Sequence, residues 1–219
     1  LIKIKNRTKK ISIFDLKVNT GFNRKNYKNF QIPLLGKHNI RNATAAIIIS
    51  MNLGIKIQHI KKALKNFKGV QRRFNKIFSN KQNDFYDDYA HHPTEINELL
   101  NGVREVNKNK KIICIFQPHR YSRVKLLKKE FSKSFKMADE VVLCPVYNAG
   151  EKIDKNYNDY LFGNLIIKNS NVKLVIIKNE NDLEIYLKKN LLSDEMIICL
   201  GAGSISSWIR KIGKKYDYN

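Results

Sequence analysis

The chain has 219 residues, 42% of them hydrophobic, with 10 glycines and 4 prolines, which bounds it as a folded protein with at least one full core and excludes a disordered or fibrous chain. Its 42 Lys and Arg against 19 Asp and Glu give a formal charge of +23. The lysines are spread over almost every segment without a zinc-finger, KH or aromatic-strand motif, so specific nucleic-acid binding is not expected. No apolar run approaches the roughly 20 residues that span a bilayer, so no membrane partner is expected either.

In chain order, residues 1 to 35 read as short alternating strands, notably Ile11 to Val18, broken by a polar loop from Asn19 to Asn29. The chain starts inside such a strand and without Met, which reads as a fragment. Gly36-Lys37-His38-Asn39 opens a predicted helix with Asn39 as N-cap, stopped by Gly54. A second helix is predicted over Ile57 to Phe67, from apolar residues at helical spacing. Gly69 to Phe74 reads as an interdomain linker.

From there strands are predicted near 85–89, 111–116, 140–145, 173–177 and 196–200, and helices near 93–106, 123–137, 182–189 and 204–211. Runs such as Ile112-Ile113-Cys114-Ile115-Phe116 are apolar throughout, as strands covered on both faces are. The expected class is therefore α/β: a Rossmann-like, doubly wound, mainly parallel sheet over 69–219, preceded by the tail of another domain over 1–68. Cys114, Cys144 and Cys199 each fall in a buried-strand run, which predicts reduced core thiols and a cytoplasmic home.

Polar residues that follow buried strands mark ligand sites in such folds. Two clusters qualify: Asp87-Asp88-Tyr89-Ala90-His91-His92-Pro93, and Gln117-Pro118-His119-Arg120-Tyr121-Ser122-Arg123. Adjacent imidazoles point apart and no H-x-E, C-x-x-C or H-E-x-x-H pattern is present, so no metal site is assigned and the histidines read as hydrogen-bonding or acid–base groups. The arginines suit a carboxylate or phosphate. Asn39 and Asn42, three apart, can share a helix face toward a base or ribose, or can simply cap and solvate. Arg72-Arg73 can clamp phosphate or lie in solvent, and Asp88 can take ribose hydroxyls or cap the helix at Pro93. Glu151 gives no clear reading from spacing. Gly201-Ala202-Gly203-Ser204 reads as a tight strand-to-helix turn before it reads as a phosphate loop.

Taken together, GKHNIRNATAA, GVQRRF, DDYAHHPTEI, QPHRYSR, YNAGE and GAGSI, in this order from about Phe30 to about Ser206, resemble the Mur ligases, and among them the branch that joins L-alanine to UDP-N-acetylmuramate. The resemblance implies an ATP- and Mg²⁺-dependent amide-forming ligase of peptidoglycan precursor synthesis, working through an acyl phosphate. It implies His38, Asn39 and Asn42 at adenine and ribose, Arg73 near the phosphates and Asp88 at the ribose. Tyr89, His91 and Arg123 would bind the amino acid, with His92, His119 and Arg120 at the reacting groups.

The chain departs from the family in holding no G-x-x-x-x-G-K-[ST] loop, and Ser204 stands where Asp or Asn is usual. The UDP-sugar domain, the phosphate loop and the metal ligands would belong to segments upstream. The alternatives are the murein-tripeptide recycling branch, a non-catalytic nucleotide-binding module and an electrostatic nucleic-acid binder.

Overall fold

The computed structural model describes residues 2–7, 11–20, 23–34, 36–80 and 83–216. By contacts the chain divides into two compact units, Leu1–Val70 with Asn101–Lys108, and Gln71–Leu100 with Asn109–Asn219.

In the first unit, β1 (Ile2–Arg7), β2 (Ser12–Thr20) and β3 (Asn23–Ile32) form an antiparallel sheet in that order, followed by α1 (Lys37–Asn52) and α2 (Ile57–Lys65). Alternate residues Phe14, Leu16, Phe30 and Ile32 leave one sheet face and pack with Ile40, Ala43, Ile47 and Ile60 of the helices. Asn39 does not cap α1 as expected. Gly36 stands at the N-cap with φ 89°, a turn glycine makes without a Cβ penalty, so the helix starts three residues earlier and takes Asn39 into its first turn.

The second unit runs β4 (Asn75–Asn80), β5 (Asn83–Asp88), α3 (Pro93–Val106, whose last residues count with the first unit), β6 (Lys111–Phe116), α4 (Tyr121–Leu126), α5 (Lys128–Ser132), β7 (Glu140–Leu143), α6 (Asp159–Ser170), β8 (Lys173–Ile176), α7 (Glu180–Asn190), β9 (Glu195–Leu200) and α8 (Ile205–Tyr216). The six-stranded sheet has the order β4-β5-β9-β6-β7-β8, and only β4 is antiparallel to its neighbour. This is the expected α/β, mainly parallel sheet. The segment read as a polar loop, Asn19 to Asn29, is mostly strand, since β3 begins at Asn23 and pairs with β2, and two further elements were not predicted. β4 is a half-exposed edge strand held by the stacked pairs Phe74–Tyr86 and Phe78–Phe85, and α6 lies between Asn158, which caps it, and left-handed Asn171. The helix expected over 123–137 breaks at Leu127 into α4 and α5.

The three cysteines are free and buried, and burial pushes each thiol up, so they are inert core residues as read. What the sheet does for function is set by register. Asp88, Leu200, Phe116 and Leu143 pair side by side across β5, β9, β6 and β7. The segments that leave these strands therefore gather along one edge, at the carboxyl ends, around the place where β9 inserts between β5 and β6.

Candidate functional site

The edge is built on a buried charge cluster. Asp87 is fully buried, and its Oδ2 accepts from Ser206 Oγ at 2.6 Å and Arg210 Nη2 at 2.9 Å. Its Oδ1 faces Arg72 Nε at 3.9 Å, beyond hydrogen-bond reach. Arg72 is not the solvated or phosphate-clamping residue that the sequence suggested. Its Nη2 donates to the Gly201 carbonyl at 2.5 Å, and its guanidinium lies over the Tyr89 ring at 4.7 Å. Arg72 thus ties the start of this unit to the loop after β9 and orients Tyr89.

Asp88 is 6% exposed; its Oδ1 accepts Ala90 N–H at 2.7 Å and its Oδ2 accepts Phe74 N–H at 2.8 Å. It does not cap α3. A ribose hydroxyl would have to use the remaining lone pairs of this carboxylate. Burial pushes the carboxyl up to about 6, against the two backbone N–H groups and the charge of Arg73, with Glu95 adding to the rise. Since the folded value exceeds the unfolded one, the folded chain holds this proton more tightly. The stability it contributes is full below the unfolded pKa of about 4 and is lost as pH rises through about 6. In Asp88→Asn, the urea midpoint should lose that falling slope, whatever the absolute change from giving up one acceptor. Parallel slopes in the variant and the parent would contradict the assignment.

Glu95 does the capping instead, accepting His91 N–H at 3.0 Å and His92 N–H at 3.2 Å. His92 is exposed, and its Nδ1 accepts Thr94 N–H at 3.3 Å, a capping contact as well. His91 Nδ1 lies 2.9 Å from the Tyr89 carbonyl and 3.4 Å from Glu95 Oε2. Its ring stands edge-on to Tyr89 at 5.2 Å and to His119 at 5.6 Å.

His119 follows β6 and continues its pairing through a bridge to Tyr147, whose ring stacks on it at 5.5 Å. Arg123 Nη1 lies 3.2 Å from His119 Nδ1. Burial, then the charges of Arg123, His91 and Arg120, lower the His119 pKa, with Glu151 opposing. Arg120 enters α4 with φ 70° and is exposed. Glu151 receives the Ser122 hydroxyl, and the Ser122 N–H at 3.1 Å, which hold its carboxyl below the usual range. It is thereby fixed at the start of α4.

The Gly201–Ser204 turn is held by Gln117, which follows β6. Gln117 Oε1 accepts Ile205 N–H at 3.0 Å, and its amide donates to Ser204 Oγ at 3.0 Å, so a side chain fills the start of α8. A Cβ on Gly203 would lie 2.6 Å from Gln117 Oε1, and one on Gly201 would lie 2.8 Å from the Gln117 carbonyl. Glycine is needed at both positions for close approach. Sequence reasoning gives neither Gln117, which stands in the second cluster, nor Glu95 a capping role. The signal for Glu95 was its place three residues past His92, at capping-box spacing.

Tyr89, His91, His119, Arg120 and Arg123 therefore share one edge of the second unit, with Asp88 beneath, while Arg73 is exposed on the chain leading into β4. Asn39 and Asn42 lie on α1 of the first unit, and the side chain of His38 lies outside the described residues.

Residues 72–203 match the family model described as Mur ligase, glutamate ligase domain. The chain belongs to the Mur ligases. A UDP-N-acetylmuramate–L-alanine ligase of Pelagibacter ubique (strain HTCC1062) is 51% identical over 212 residues, which cover 96% of this chain and 46% of that protein. The crystal structure of a UDP-N-acetylmuramate–alanine ligase from Thermotoga maritima matches with a TM-score of 0.75 at 28% identity, over 99% of this chain and 46% of that one. A murein peptide ligase from Psychrobacter arcticus 273-4 matches with a TM-score of 0.63 at 17% identity, over 96% of this chain and 43% of that one, a likeness of fold. This Mur ligase chain thus spans less than half the length of these relatives.

Proposed function

We propose that the chain is the C-terminal part of an ATP-dependent UDP-N-acetylmuramate–L-alanine ligase, which forms an amide in cytoplasmic peptidoglycan precursor synthesis. The observation that carries this reading is the 51% identity to such a ligase across 96% of the chain. The grouping of His119, Arg123, His91 and Tyr89 at the strand ends supports it. On this reading residues 1–68 are the tail of the central ATP-binding domain, and 69–219 form the domain that receives the amino acid. UDP-N-acetylmuramate and L-alanine are the substrates.

The chain's own residues then bind and orient. Arg123 and Arg120 pair with the amino acid's carboxylate and hold charge at the reacting carbon. Tyr89, held by the Arg72 guanidinium over its ring, stands beside the amino acid. In the second unit Asp88 and Arg73 are assigned to the nucleotide; in the first unit Asn39, Asn42 and His38 are assigned to it on the resemblance alone. ATP supplies the phosphoryl group that activates the carboxylate. Mg²⁺, which the resemblance implies, would take its protein ligands from segments upstream.

Competition between L-alanine and murein tripeptide as acceptors tests the reading in the complete ligase. Alanine should be used and the tripeptide refused; preference for the tripeptide would move the chain to the recycling branch.

A further inference from the structure

The hydrogen bonds of His91 and His119 fix opposite tautomers. The Tyr89 carbonyl only accepts, so its 2.9 Å contact with His91 Nδ1 requires the proton on that nitrogen. The neutral ring then carries its lone pair on Nε2. A guanidinium only donates, so the 3.2 Å contact with Arg123 Nη1 makes His119 Nδ1 the acceptor and puts the proton on Nε2. Two imidazoles 5.6 Å apart therefore offer different atoms, a base at His91 Nε2 and a donor at His119 Nε2.

We propose that His91 Nε2 takes the proton from the incoming amino acid's ammonium group, with His119 as the neighbouring hydrogen-bond donor. This rests on the ligase reading above. In the step, one ammonium N–H bond breaks, its electron pair stays on nitrogen, and an Nε2–H bond forms. The freed amine attacks the carbonyl carbon of the acyl phosphate and makes the C–N bond. The C–O bond to phosphate breaks, and the second amine proton leaves on that oxygen as monohydrogen phosphate.

The surroundings favour this division. The Nδ1–H of His91 faces the Tyr89 carbonyl and, at 3.4 Å, Glu95 Oε2, so the imidazolium formed on protonation is held by a carboxylate. Glu95 is itself fixed by the His91 and His92 N–H groups. Protonating His119 at Nδ1 would instead set it against Arg123, with Arg120 and His91 nearby and Glu151 the opposing acid. Arg72 bears on His91 only through the Tyr89 ring that both contact.

Two measurements decide it. Long-range ¹H–¹⁵N correlation spectra of the histidine-labelled chain, taken above the ordinary histidine pKa, should show Nδ1–H for His91 and Nε2–H for His119. The inverse pattern at either ring overturns the proposal. In the complete ligase, His91→Asn keeps a donor near the Nδ1 position and removes Nε2. It should lower kcat about 10²–10⁴-fold and flatten the acid limb of the pH–rate profile, with KM for ATP unchanged. His119→Gln keeps a donor near Nε2 and should retain the acid limb. A His91→Asn enzyme with that limb intact, or its loss in His119→Gln alone, overturns the assignment. If the unaltered ligase forms no alanine adduct, it is the ligase reading that fails, while the tautomers remain legible in the chain.

Discussion

Replacing Asp87 with alanine is expected to lower the melting temperature of the second unit by on the order of 10 °C, the largest stability effect at any site residue. The carboxylate is fully buried and receives Ser206 at 2.6 Å and Arg210 at 2.9 Å while facing Arg72. Arg210 is about half exposed, so water compensates much of its share. Arg72, 25% exposed, has less such recourse and Ser206 is buried, and removing one partner of a buried charged cluster costs about 3 kcal/mol or more. Arg72 would also lose the charge beside it while it holds the Gly201 carbonyl and the Tyr89 ring. The effect should therefore reach amino-acid binding. Thermal unfolding followed by circular dichroism reads it; a shift of less than about 2 °C would show that the cluster does not support the edge.

Arg123→Ala in the complete ligase is expected to lower kcat/KM for L-alanine about 100-fold and leave KM for ATP unchanged. Truncating one member of a hydrogen-bonded ion pair costs about 3 kcal/mol, which is that factor in affinity. The same change removes the donor that fixes His119 in one tautomer. Arg123→Lys should restore little, because an ammonium cannot make the paired contacts of a guanidinium. Steady-state kinetics with each substrate varied in turn separates the outcomes. A parallel rise in KM for ATP would place Arg123 on the nucleotide side.

The parallel strands were legible because burial on both faces leaves no room for polar alternation, as in Ile112 to Phe116 and Met196 to Leu200. β4 was not, since an edge strand with Asn75, Lys76, Ser79 and Asn80 in six residues carries the composition of a loop. α6 was hidden by Gly163, which makes room for Leu174, and by asparagines that serve as its caps. The break at Leu127 was invisible because Val124 and Phe131 are buried on either side of it, so the apolar spacing runs on through the break.

At the site, the strand-end rule located both clusters from sequence. What it could not do was divide labour within them. Asp87 and Asp88 are neighbours of the same chemistry, yet one anchors arginines and the other holds backbone N–H groups. Arg72 and Arg73 differ in the same way, one tied to the Gly201 carbonyl and one exposed. Which nitrogen of His91 or His119 holds the proton depends on partners 2 or 4 residues away in the folded chain, and only geometry reveals it.

The most direct test of the central claim is an exchange. The C-terminal part of the Pelagibacter ubique ligase, where the 51% identity lies, is replaced by this chain, and ATP-dependent formation of the alanine adduct of UDP-N-acetylmuramate is measured. The chimera should make the adduct with L-alanine and not with murein tripeptide. A folded chimera that makes neither product, or only the tripeptide product, would contradict it.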